Sequence, residues 1–309
     1  VDANTGQIIW EMPFRIGTTR GGDVAAAGGF RSDIAIAYGL LFFENNRVLY
    51  AISDLKAKDW TYYRGNYDLP GVTTDGPGAG AYTKWKYKTD GPITSSPIIV
   101  NGTVYIGSQD KNYYALDAYT GQKIWNFSTG FRVLSTPAIS NGKLYTGADD
   151  GNIYALNAKT GEVLWTKNVG GRWQGLLDYG VTSTNQPRSS PIIIDNRLFV
   201  GALDGKVYSL DAKTGNILWS YQTYGPILGS PAYYNDTVYI GSTDINLRPN
   251  GTLYAFNTNT GAVLWANQIP ESGGPGTGTA RGAFASSPIV VIGARSNSSA
   301  NAKVFNMII

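Results

Sequence analysis

Four stretches of the chain repeat one pattern: ALDAYTGQKIW (Ala115 to Trp125), ALNAKTGEVLW (Ala155 to Trp165), SLDAKTGNILW (Ser209 to Trp219) and AFNTNTGAVLW (Ala255 to Trp265). Self-similarity at a fixed spacing is the mark of a repeat architecture and outranks local propensity. Each residue type in the pattern has a physical task. Asp117 and its equivalents are placed to accept backbone amides of a tight turn, and Gly121, Gly161, Gly215 and Gly261 supply the positive φ that such a turn demands. Trp125, Trp165, Trp219 and Trp265 bring a large ring to a fixed register, suited to filling the wedge between neighbouring sheets.

Upstream of each copy stands a small-polar pair and a proline, as in Ser95-Ser96-Pro97, Ser135-Thr136-Pro137, Ser189-Ser190-Pro191 and Gly229-Ser230-Pro231. Two β-rich runs follow, such as PIIV and TVYIGS, joined by Asn-Gly or Asn-Asp. Every unit therefore reads as four short strands joined by hairpins. From Trp85 through Trp265 the equivalent tryptophans lie 40, 40, 54 and 46 residues apart. That period matches one four-stranded propeller blade per repeat.

Two divergent copies complete the set. In one, DIAIAYG, LLFFENN and RVLYAIS supply three strands and Trp85 resumes the pattern after an insertion at 61–83. The other is divided between the two ends: residues 286–309 give three strands, and Val1 to Trp10 (VDANTGQIIW) give the last turn and strand. The expectation is a single all-β domain over 1–309, a β-propeller of six four-stranded antiparallel blades. These run over 33–89, 95–129, 135–169, 189–223, 229–269 and 286–309 with 1–10, and pairing of N- and C-terminal segments closes the ring and removes exposed edges. Trp10, Trp85, Trp125, Trp165, Trp219 and Trp265 are its six wedges.

The motif Ala-x-Asp-x-x-Thr-Gly-x-x-x-Trp, preceded by Ser-Pro and a Val-Tyr-x-Gly strand, resembles the tryptophan-docking repeat of the quinoprotein alcohol-dehydrogenase (PQQ-repeat) superfamily, which BamB-like outer-membrane assembly propellers share. The resemblance covers nearly the whole chain and implies the fold. For activity it points two ways, because function lives in sites grafted onto folds. The enzymes of that superfamily have eight blades and, in the alcohol-dehydrogenase branch, an adjacent Cys pair beside the quinone. Six repeats without Cys resemble the binding propellers more closely.

Composition narrows the chemistry. The chain of 309 residues has no Cys and no His, which removes disulfides, thiolate nucleophiles, Cys/His zinc sites and imidazole acid–base catalysis together. A net charge of +3 with no basic run leaves no electrostatic footprint for nucleic acid. The longest apolar stretch, Ile34 to Phe43, is far short of the roughly 18 residues that span a bilayer, so no transmembrane segment is expected. Carboxylate clusters and EF-hand spacing are missing, so no metal is expected. Asp110, Asp150, Asp204 and Asp244 recur at one register and are expected to form turns.

Function is expected on the face that carries the connectors between blades. Three are long and Gly-rich, over 11–32, 166–189 and 266–286, and loops of that kind are where binding resides. The connectors gather Arg15, Arg20, Arg31, Arg132, Arg172, Arg188 and Arg281 but few lysines. Planar guanidinium groups suit carboxylate or phosphate recognition. The expected ligand site is therefore a funnel mouth of Arg31, Arg132, Arg172, Arg188 and Arg281, floored by the Ser/Thr pairs. Trp173 and Asp178, in the longest connector, join the candidate site, and under an enzyme reading they would be a stacking floor and a base. Tyr62, Tyr63, Tyr67 and Tyr82 make the 61–83 insertion a contact loop on the opposite face. Glycosylation candidates are Asn101, Asn126, Asn235, Asn250 and Asn297, each in an Asn-x-Ser/Thr triplet.

A low content of Glu and Lys beside abundant Asn, Ser, Thr, Tyr and Gly suits a cell exterior. Together these observations predict a non-catalytic, secreted or cell-surface propeller that binds a protein or a surface glycan, with no cofactor and no catalytic residue. The alternatives are a PQQ- and calcium-dependent dehydrogenase of alcohols or sugars, and a structural subunit of a surface layer or filament.

Overall fold

The structure is a computed structural model, and it describes residues 35–37, 40–53, 83–170, 189–243, 251–269, 287–292 and 302–305. Trp10, Arg31, Arg172, Trp173, Asp178, Arg188, Arg281, Asp244, Asn250, Asn297 and most of the 61–83 insertion lie outside the described residues. Every regular element described is a strand. β1 (Ala35–Ala37), β2 (Leu40–Asn45), β3 (Val48–Ser53) and β4 (Thr83–Lys88) form the first sheet. The second holds β5 (Ile98–Val100), β6 (Thr103–Gly107), β7 (Asn112–Asp117) and β8 (Lys123–Ser128). The third holds β9 (Ala138–Ser140), β10 (Lys143–Gly147), β11 (Asn152–Asn157) and β12 (Val163–Asn168). The fourth holds β13 (Ile192–Ile194), β14 (Arg197–Gly201), β15 (Lys206–Asp211) and β16 (Ile217–Gln222). The fifth holds β17 (Ala232–Tyr234), β18 (Thr237–Thr243), β19 (Gly251–Asn257) and β20 (Val263–Ile269). A two-stranded sheet of β21 (Ile289–Ile292) and β22 (Ala302–Phe305) follows.

Each four-stranded sheet is an antiparallel meander in chain order. In the second to fifth sheets the hairpins between first and second strands are two-residue turns with positive φ at both positions, as at Asn141 (50°) and Gly142 (71°) or Asp195 (46°) and Asn196 (60°). Asn and Asp tolerate that region best among non-glycine residues, and the mirror-image turn matches strand twist. First strands of neighbouring sheets lie side by side, β1 by β5, β9 by β13 and β17 by β21. Fourth strands form the outer edges. The third and fourth strands slip by one residue at one register in all five sheets, for example between Ala155 and Leu156. The bulge leaves Ile124, Leu164, Leu218 and Leu264 exposed just before each Trp.

Two layers of contact join consecutive sheets. In the outer layer Trp85, Trp125, Trp165 and Trp219 each donate Nε1–H to a carbonyl of the next sheet: Ala118, Ala158, Ala212 and Thr258, at 2.9 to 3.1 Å. Each indole lies flat on that sheet's Thr-Gly turn, where a Cβ on the glycine would fall 2.6 to 2.8 Å from the ring. At this register glycine is required twice over, for the positive φ and for the space under the indole. Tyr105 and Tyr145 bring their hydroxyls to the same carbonyls, Ala158 and Ala212.

The inner layer is polar. The Ser96 amide donates to Thr136 Oγ1 (2.8 Å), Thr136 to Ser190 Oγ, Ser190 to Ser230 Oγ and Ser230 to Ser287 Oγ (each 2.9 Å). The hydroxyls of Thr136, Ser190, Ser230 and Ser287, each just before a proline, thus take the amide of the preceding sheet. All five residues are buried. This relay runs unbroken from the second sheet to the two-stranded one.

Candidate functional site on the connector face

Backbone bonds sort the turns onto two faces. The amides of Ala118, Ala158 and Ala212 donate to Gly102, Gly142 and Asn196, so the first and third turns of a sheet share one face. Connectors meet the second turns on the other, where Thr89, Thr129 and Thr223 amides donate to Arg47, Lys111 and Gly205. The Thr hydroxyls repeat those bonds and also reach Gly91, Phe131 and Gly225 carbonyls.

The second turns hold the repeated aspartates in the expected turn role, with an addition. Asp110 Oδ1 accepts the Asn112 amide, while its Oδ2 accepts the Tyr114 hydroxyl (2.8 Å) and the Asp90 amide of the incoming connector (3.1 Å). Asp150 does the same with Asn152, Tyr154 (2.6 Å) and Gly130 (2.7 Å). Asp204 accepts from Lys206 and from Tyr208 (2.6 Å). Burial, then the hydrogen bond to Asp150, push the Tyr154 phenol up to about 12. The same causes raise Tyr114 and Tyr208, so all three rings stay protonated donors at physiological pH. Each aspartate therefore pins a turn, a connector or both to its own sheet. The following-strand Tyr, two residues beyond the turn, was invisible as a partner in sequence because its spacing is that of a core residue.

Of the expected funnel-mouth residues, Arg132 is described. It sits on the connector between the second and third sheets, with its guanidinium stacked on Phe131 (5.2 Å to the ring centre) and 3.3 Å from the Asp149 carboxylate. Lys111 approaches the same ring at 6.0 Å. Asp149 lines a cavity of about 60 Å³ between the third and fourth sheets, together with Leu134, Asn152, Leu203 and Ile227. Such a space takes a few waters. The Ser/Thr pairs beneath are buried and bonded from sheet to sheet or to glycine backbone, as Ser135 Oγ is to the Gly147 carbonyl (2.7 Å). On the opposite face Asn101 and Asn235 are exposed in equivalent first turns, and Asn126 is exposed on β8. Among the described residues no three His, Cys, Asp or Glu side chains gather into a metal-binding group, and no helix is long and apolar enough to cross a membrane.

The chain is 36% identical over 75 residues to the quinohemoprotein alcohol dehydrogenase ADH IIB of Pseudomonas putida, a match covering 23% of this chain and 11% of that protein. It is 34% identical over 87 residues to the outer membrane protein assembly factor BamB of Shewanella oneidensis, covering 28% and 20%. The matched stretches thus span a fifth or less of those relatives. The crystal structure of BamB from Moraxella catarrhalis superposes with a TM-score of 0.51 at 18% identity, over 78% of this chain and 77% of that one. A europium-containing methanol dehydrogenase gives 0.56 at 13% identity, over 80% and 52%. At such identities the likeness shows the fold, a β-propeller. The family model of the outer membrane protein assembly factor BamB matches residues 1–177 and 133–305, and the chain belongs to that PQQ-like repeat family.

Proposed function

We propose that this propeller is a non-catalytic binding or scaffold module of the cell surface or extracellular space, with a protein or surface glycan as partner. The observation that carries the reading is how the repeated polar groups are employed. Ser and Thr hydroxyls at the hub, Asp–Tyr pairs in the second turns and Asp117-type carboxylates in the third turns all bond within or between sheets. They build a rigid support and leave recognition to the connectors, where Arg132 and the arginines Arg31, Arg172, Arg188 and Arg281 are grouped in sequence. Six repeats closed by both chain ends remain the architecture we infer for it.

The residues described do not fit pyrroloquinoline quinone, a planar tricarboxylate. Among the described residues the cavity between the third and fourth sheets, at about 60 Å³, is too small for that molecule, and its charged lining residue, Asp149, is already paired with Arg132. A dehydrogenase reading draws its support from the sequence likeness to quinohemoprotein alcohol dehydrogenase over 75 residues. Incubation with pyrroloquinoline quinone and calcium, followed by dye-linked assays across alcohols and sugars, separates the two. The binding reading expects no retained quinone absorption and no turnover; a bound-quinone band with reproducible turnover overturns it. Surface location is tested by protease accessibility on intact producing cells. Modification at Asn101, Asn126 or Asn235 is tested by intact mass, since a mass equal to the bare polypeptide excludes the glycan.

A further inference from the structure

Five outer edge strands can be compared position by position, and one differs. The residue before each Trp and the next two alternate positions are Ile124, Asn126 and Ser128 on β8, and Leu164, Thr166 and Asn168 on β12. On β16 they are Leu218, Ser220 and Gln222, and on β20 Leu264, Ala266 and Gln268. All are exposed and none is charged. On β4 the same places hold Lys84, Lys86 and Lys88, likewise exposed. They are three of the chain's thirteen lysines, set along a single strand of six residues. Lys84 Nζ rests 5.6 Å from the centre of the Tyr119 ring, and Lys86 and Lys88 make no ion pair among the described residues. Exposed Arg47 extends the series, since its carbonyl accepts the Thr89 amide just past Lys88.

Lysines on an edge strand are a known defence against unwanted strand pairing. Defence alone calls for a charged row on every open edge, yet β8 carries the single Lys123 and β12 the single Lys167, both off this row, and β16 and β20 carry no charge. Among the described residues β4 pairs with β3 on one side only, so its other side offers backbone donors and acceptors in a row. Lysines at alternate positions repeat at about 6.6 Å, the spacing of alternate side chains on a strand laid beside it. Added strands take affinity from main-chain hydrogen bonds and specificity from alternate side chains. We propose that the β4 edge is a docking site for an extended acidic segment of a partner protein, with Asp or Glu at alternate positions, which joins the first sheet as a fifth strand. The inference deepens the binding-module reading by naming one surface and one partner chemistry.

The test uses the full chain and a fluorescein-labelled octapeptide of alternating Glu and Thr, followed by anisotropy. Saturable binding is expected, weakened at least tenfold between about 50 and about 500 mM NaCl as screening shortens the range of the charges. Two comparisons decide the mode. K86E/K88E, or K86Q/K88Q should the reversal fail to fold, is expected to weaken binding at least tenfold. The same octapeptide with alternate amides N-methylated keeps its charge but cannot pair as a strand, and is expected to lose at least as much. Absence of saturable binding below about 1 mM, indifference to the lysine variants, or equal binding of the N-methylated peptide each overturns the proposal. Heparin or anionic phosphatidylglycerol vesicles binding tighter than the peptide through Lys86 and Lys88 overturns it in favour of a general polyanion surface. None of these results bears on the quinone assay, so the two failures are distinguishable.

Discussion

The outer and inner layers join the same sheets in the same order by opposite means. Outside, Trp125 lies on Gly161 and donates to the Ala158 carbonyl, a contact of shape with one hydrogen bond. Inside, the Thr136 amide donates to Ser190 Oγ, a contact of one hydrogen bond between two small polar residues. The outer layer sits where the sheets diverge and a large ring is needed to span the gap. At the hub first strands lie side by side, and a hydroxyl satisfies each buried amide. The difference teaches that propeller order is fixed twice, by fit at the rim and by polar satisfaction at the hub.

Breaking the rim has the largest expected effect. Trp125→Ala removes a ring only 9% exposed, and a loss of about 3 to 5 kcal/mol is expected from chemical denaturation. A double-mutant cycle sharpens this. Gly161→Ala places a Cβ 2.8 Å from the indole and is expected to cost about 2 kcal/mol or more, from steric overlap and φ strain together. In the Trp125→Ala background the overlap is gone, and only the φ penalty of about 1 kcal/mol should remain. Additive costs would show that ring and glycine do not meet.

The hub is the second place to break. Thr136→Val keeps shape but strands the Ser96 amide, and should cost about 1 to 3 kcal/mol by the same measurement. Ser190→Ala does the same to the Thr136 amide and should fall in the same range. A loss below that of an ordinary surface substitution would reduce the relay to coincidence.

A third substitution should stabilise. Ser209 is fully buried and its hydroxyl has no partner among the described residues, while Ala51, Ala115, Ala155 and Ala255 fill the same place in the other four sheets. Ser209→Ala is expected to raise stability by about 1 kcal/mol, seen as a higher melting temperature. An unchanged or lower one contradicts the packing described.

The smallest effect compares third turns with and without charge. Burial pushes the Asp211 carboxyl up, but bonds from the Thr214 amide and hydroxyl and the Lys213 amide outweigh it and hold the group below its ordinary value. Asp117 is held down in the same way by Thr120 and Tyr119. Asn157 and Asn257 accept the equivalent amides with no charge to titrate. A carboxyl with a lowered folded pKa adds stability above its unfolded value near about 3.9 and loses it as pH falls through the folded value. Asp117→Asn with Asp211→Asn should therefore flatten the acid limb below about pH 4, with little change at neutral pH. An acid limb as steep as before would rule these turns out as its source.

Much of this was legible in the sequence because a motif repeated four times fixes register without any propensity argument. Trp125, Gly121 and Asp117 carried turn, wedge and strand order together. The Ser-Pro steps announced first strands, but nothing local says that Thr136 serves the amide of Ser96, forty residues upstream. That partnership exists only once sheets are radial. Tyr105 and Tyr154 were likewise unreadable as hydrogen-bond donors, since a tyrosine at a core-facing strand position looks the same whether or not its hydroxyl has an acceptor. The arginines of the long connectors were legible as a group by composition alone; Arg132 acquires a carboxylate partner through the turn at Asp149, which no spacing rule supplies.

The proposed closed ring extends the hydroxyl-to-amide relay that links the sheets from Ser96 to Ser287. Experimental electron density of the hub tests it most directly. The expected density links Ser96, Thr136, Ser190, Ser230 and Ser287 in that order, with residues 1–10 supplying the last turn and strand of the sheet that holds β21 and β22. An open stack, with Ser287 facing solvent and the chain ends far apart, would contradict it.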